Sequence, residues 1–206
     1  MTILDTFRDE ARQRGALGPQ EVVTLQTAFR VVRDMPYARS TAPDADTVAR
    51  EWRGTATGKH TLLAALLDAL GYDASVMLAT QFFSATSTPW LPPHLLEETR
   101  ERPVPDVHAF LRICHDPVED EWMTVDATWP LTTRDLGLPV NEMLQPGVDQ
   151  RIGCDIEELF HVPEDEDPAE VAANILALHA GDEADRRETF LDAIGEWLAA
   201  NTGGVR

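Results

Sequence analysis

Cysteine is scarce in this chain: Cys114 and Cys154 are the only two among 206 residues. A chain of this length buries enough apolar surface to fold without covalent staples. The pair therefore points to a reducing, cytoplasmic setting and not to a disulfide framework. Positive charge is also short, with 17 Lys and Arg against 36 Asp and Glu and a formal net charge of −19. Nucleic acid and anionic membrane surfaces repel such a chain, so neither is expected as a partner. No apolar run reaches the length of a membrane span. The opening residues, Met1 to Glu10, carry acids where a signal peptide needs an apolar core. No internal repeat or low-complexity segment occurs. Metal-ligand spacing is missing too: His115, Asp116, Glu119 and Asp120 fall in one turn, with no second cluster to complete a site. Neither a metal nor a cofactor is expected.

What is present is an ordinary globular balance, 43% apolar and 26% charged. The pattern reads as a single α+β domain over 1–206, with a helical part at 1–53, a core at 54–130, a covering segment at 131–163 and helices over 164–206. Helices are expected at 3–14, from Pro19 to about Arg33, and from Asp46 to Trp52. Leu62, Leu63, Leu66, Leu67 and Leu70 recur at helical spacing, and Gly71 is placed to close that helix in a left-handed conformation. Thr55 or Thr57 can cap its start. Residues 74–80 read as a strand, and one helical turn fits His94 to Glu98. Two further strands follow, Val107–Cys114 and Glu121–Asp126, with alternating patterns. Asp167 caps, and Pro168 opens, a helix to about His179, and a last helix runs from about Asp185 to Ala200.

The two later strands read as a hairpin. A turn centred on Pro117 sets His108 opposite Asp126 on one face, within reach of an imidazole–carboxylate hydrogen bond. A one-residue slip would separate them. Singly, these are an ordinary strand histidine and an ordinary turn acid. Together with the helix start at 54–58 they supply most of a cysteine acyl-transfer site, which needs a thiol at a helix N-terminus, a histidine to take its proton and an acid to orient the histidine.

The order Gly54-Thr-Ala-Thr-Gly-Lys-His60, Leu-Leu-Asp-Ala-Leu-Gly71, Val107-His-Ala-Phe and Val125-Asp-Ala-Thr-Trp129 resembles the transglutaminase-like superfamily of papain-type fold. The Lys59-His60 pair is similar to that of a bacterial subset. The resemblance covers roughly residues 50–130. It implies a central helix on a small antiparallel sheet, with added N- and C-terminal helices. It implies a nucleophilic cysteine at position 56, fifteen residues before Gly71, where this chain has Ala56. His108 would act as base and then acid, with Asp126 as its orienter. Thr55, Thr57, Lys59, His60 and Trp129 would meet the substrate. That substrate would bear an amide, ester or thioester, peptides included, and no cofactor would be needed.

An alanine methyl group cannot attack a carbonyl, so the chain as written has no thiol chemistry at this place. Cys114 lies six residues beyond His108, about 20 Å along a strand, and Cys154 falls in the covering segment. Ala56 is then either an engineered replacement for a catalytic cysteine or a natural loss. The first gives a transglutaminase-like acyltransferase or hydrolase without its nucleophile. The second gives a pseudoenzyme that binds a peptide or acyl ligand in the same cleft. A structural partner protein with no ligand is the third alternative. Arg50, Arg53 and Lys59 could form a basic patch beside the site.

Overall fold

Four of the helices begin where a short polar side chain satisfies free N–H groups of the first turn. A computed structural model describes residues 2–163 and 165–203. In it α1 (Ile3–Gln13) is capped by a reciprocal Thr2–Asp5 box, and α3 (Ala45–Glu51) by Asp44. Between them α2 (Leu25–Asp34) starts later than Pro19, a correction to the sequence reading. Thr24 and Thr27 cap each other there, while Gly18 and Glu21 close a turn around Pro19. A local capping box outweighs a favourable proline position.

The apolar stretch forms α4 (Ala56–Ala69), with Leu62, Leu63, Leu66 and Leu67 fully buried. Gly71, at φ 82°, ends it as expected: Tyr72 N–H reaches Leu67 O and Gly71 N–H reaches Asp68 O. The remaining elements are β1 (Ala74–Phe83), α5 (Pro93–Arg100), β2 (Val104–Asp116), β3 (Glu121–Val125), β4 (Glu158–His161), α6 (Pro168–Ala180) and α7 (Ala184–Asn201). Asp167 caps α6 and Pro168 opens it, as read from the sequence; Glu164 lies outside the described residues.

The result is α+β, with one antiparallel sheet in the order β3-β2-β1-β4. β4 was not foreseen; four residues inside a Pro- and Gly-rich segment give no periodic signal. Two apolar clusters flank the sheet. The first joins the α4 leucines to Val107, Ala109, Leu111 and Ile113, which share one face of β2. The second joins Phe190 and Ile194 of α7 to Tyr37 and Trp129.

The hairpin register differs from expectation by two residues. Val125 pairs with Leu111, which places Asp126 beyond the end of β3 and not directly across from His108. The turn holds residues 117–120 with Asp120 left-handed at φ 53°, Asp116 accepts the Val118 and Glu119 N–H groups, and a register irregularity lies between Cys114 and Asp116. A shift of two is one full pleat, so the facing of every side chain survives.

Candidate active site

Packing fixes where α4 begins. A Cβ on Gly58 would stand 3.0 Å from Val48 Cγ2, and one on Gly54 would stand 3.1 Å from the Lys59 N. Both glycines let the first turn press against α3. Gly54 N–H also donates to Pro36 O at 3.2 Å. Thr55 is the N-cap in an extended conformation, but its side chain makes no cap bond. Ala56 is the first helical residue and only 3% exposed.

His108 and Asp126 meet although they are not directly paired. His108 Nε2 lies 2.7 Å from Asp126 Oδ2, with both side chains buried. The carboxylate is held from several sides. Gly153 N–H donates to Oδ2 at 2.7 Å, and Thr128 N–H donates to Oδ1 at 2.9 Å. Its main chain is held as well: Asp126 N–H donates to Gln150 Oε1 at 2.8 Å, and Asn141 Nδ2 donates to Asp126 O at 3.0 Å. Burial alone would raise this carboxyl. The charge and hydrogen bond of His108, then His60 and the Gly153 N–H, overcome burial and keep it well below the ordinary carboxylate range. No described protein group bonds His108 Nδ1, so the ring keeps one nitrogen to exchange a proton.

Lys59 and His60 do not stand where the resemblance puts them, in contact with a substrate. Both are fully buried. Lys59 Nζ donates to Arg33 O at 2.8 Å and to Thr128 O at 2.9 Å. Desolvation pushes its amine down to about 7, against the pull of Asp34. Burial likewise pushes His60 down to about 4, so the ring is neutral. Its partners assign the tautomer: Nδ1–H donates to Ala56 O at 2.8 Å, and Nε2 accepts the Ala127 N–H at 2.9 Å. The His60 and His108 rings are 6.3 Å apart. Lys59 and His60 are internal framework that joins the start of α4 to the turn bearing Asp126.

Trp129 is buried too. It packs on Tyr37 at 4.5 Å and on Trp90 at 5.1 Å between ring centroids, and its Nε1 donates to Gly153 O at 3.3 Å. Thr55 and Thr57, by contrast, line a cavity of about 260 Å³ that reaches Val107, the neighbour of His108. Arg39 and Arg187 border it, each already paired with acids: Arg39 with Glu188 and Asp192, Arg187 with Asp106. Arg50, Arg53 and Lys59 do not line it; Lys59 is sealed inside and Arg53 pairs with Glu51.

Neither cysteine stands at a helix start. Cys114 pairs with Trp122 at the turn end of the hairpin. Cys154 follows Gly153, beside the carboxylate, but burial and then Asp126, Asp106 and Asp155 all push its thiol up. Those surroundings oppose a thiolate. Among the described residues no group of three His, Cys, Asp or Glu could hold a metal ion, and no helix is long and apolar enough to cross a membrane. Asn141, Gln150 and Gly153, which clamp Asp126, were missed from the sequence because their partners are distant in the chain. The order Gly-Val-Asp-Gln-Arg-Ile-Gly (147–153) reads only as loop.

The chain matches no family model, and neither a curated protein nor a solved structure matches it.

Proposed function

We propose that this chain is a transglutaminase-like cysteine acyl-transfer scaffold of papain-type fold whose nucleophile position is occupied by Ala56. One observation carries the reading. A buried His108–Asp126 pair at 2.7 Å is tied through His60, 3.8 Å from the Asp126 carboxylate and bonded to Ala56 O, to the start of the helix that opens at residue 56. A histidine oriented through Nε2, with Nδ1 left to move a proton, is what a thiol at that helix start requires. The retained geometry favours an acyltransferase or an amide, ester or thioester hydrolase lineage.

With a thiol at position 56, His108 would take its proton, and the sulfur would bond to the acyl carbon. The tetrahedral oxyanion would be met by N–H groups of the first turn, favoured by the helix dipole. His108 would then return the proton to the departing amine, alcohol or thiol as its bond to carbon breaks. Water or an amine would release the acyl group by the reverse steps. As it stands, Ala56 permits no acyl transfer. The cavity lined by Thr55, Thr57 and Val107 supports the second reading, a pseudoenzyme that would hold a peptide or acyl ligand there.

Incubating Ala56→Cys with p-nitrophenyl acetate tests the first reading. A stoichiometric, hydroxylamine-labile acetyl adduct at position 56 is expected, lost in Ala56→Cys/His108→Ala. No adduct in a folded Ala56→Cys protein leaves only the binding reading.

A further inference from the structure

A second surface lies away from position 56. β4 ends the sheet, so among the described residues one side of its backbone has no neighbouring strand. Its pairing with β1 sets Glu158 opposite Thr80 and Phe160 opposite Leu78. A period of two therefore puts Glu158 and Phe160 on one face with Thr80 and Phe82. α6 walls that face with Ile175 and Leu178, leaving a groove of about 560 Å³. Leu178 in its lining is 89% exposed; Leu159, on the opposite face of β4, is 54% exposed and Ile156, just before the strand, 42%. A free strand edge presents N–H and C=O groups with which another chain can pair.

Charge says what covers it. Residues 155–183 contain ten Asp and Glu and no Lys or Arg. Two copies of this edge would bring Glu157 and Glu158 against like charges, which opposes self-pairing. A segment with the opposite charge meets no such barrier. We infer that β4 and the groove beside it take a short extended segment of a basic partner protein, adding it as a fifth strand. Main-chain hydrogen bonds along the free edge would hold it. An apolar side chain would enter between Phe160 and Leu178, and flanking Lys or Arg would face Glu157 and Glu158. The inference does not depend on chemistry at position 56.

The test uses the full chain and three labelled peptides, with lysine alternating with valine, lysine with serine, and glutamate with valine. Fluorescence anisotropy gives affinity, and hydrogen exchange gives location. The lysine–valine peptide is expected to bind saturably and to protect amides at 157–161. Binding should fall at least tenfold for the lysine–serine peptide, for E157K/E158K and for L178S, with circular dichroism unchanged. The glutamate–valine peptide should not bind. Equal binding of the two lysine peptides, protection elsewhere, indifference to all these substitutions, or self-association through β4 would each overturn the inference.

Discussion

His60 Nε2 accepts the Ala127 N–H at 2.9 Å, so the residue after the candidate carboxylate is bolted to the helix that begins at Ala56. The same ring reaches Ala56 O through Nδ1 at 2.8 Å. One neutral imidazole thus spans two ends of the site. Replacing it by Phe leaves a buried N–H and a buried carbonyl without that partner. A loss of about 2–4 kcal/mol is expected, read from urea unfolding.

The same burial makes stability depend on pH. Unfolded, the His60 imidazole titrates near 6.5; folded, it is pushed down to about 4. Between these values the unfolded chain binds a proton that the native chain does not. Stability is therefore complete above about pH 6.5 and falls as pH drops towards 4, by on the order of 3 kcal/mol. Asp126, with its carboxyl held low, adds a further loss at pH values below its ordinary range. The His60→Gln variant should lack the first decline and keep the second in a denaturation series across pH.

Lys59 continues the same trend at higher pH. Its amine is pushed from 10.5 to about 7 by burial, so above pH 7 the native chain sheds a proton the unfolded chain keeps. The neutral amine still has two N–H groups for the Arg33 and Thr128 carbonyls. Relative to Lys59→Met, the parent chain should gain stability from pH 7 to 9, by roughly 2 kcal/mol. The difference between the two proteins removes the shared titration of Tyr37 and the cysteines.

Gly153 is needed for want of a side chain. A Cβ there would stand 2.9 Å from Trp129 Nε1 and 3.3 Å from Asp126 Oδ2. Gly153→Ala should displace the indole and loosen the clamp on the carboxylate, costing about 1–3 kcal/mol. A changed tryptophan emission should accompany the loss.

Much of the frame was legible because its signals are local. The leucine spacing of 62–70, Gly71 and the Asp167–Pro168 helix start all depend on neighbours a few residues away, and all appear in the fold. His108 and Asp126 were matched by alternation, and the two-residue register difference left their facing intact. What escaped depends on distant partners. Lys59 and His60 look like solvated first-turn residues until the carbonyls of Arg33 and Thr128 and the N–H of Ala127 are brought to them. Cys154 could not be placed for the same reason.

The most direct test of the account is the pH profile of iodoacetamide labelling for Ala56→Cys in a Cys114→Ala/Cys154→Ala background, with and without His108→Ala. The account predicts a thiol that labels well below pH 8 and returns to an ordinary profile, near 8.5, when His108 is removed. A thiol titrating near 8.5 with His108 present, and indifferent to its removal, would contradict the cysteine–histidine reading of this site.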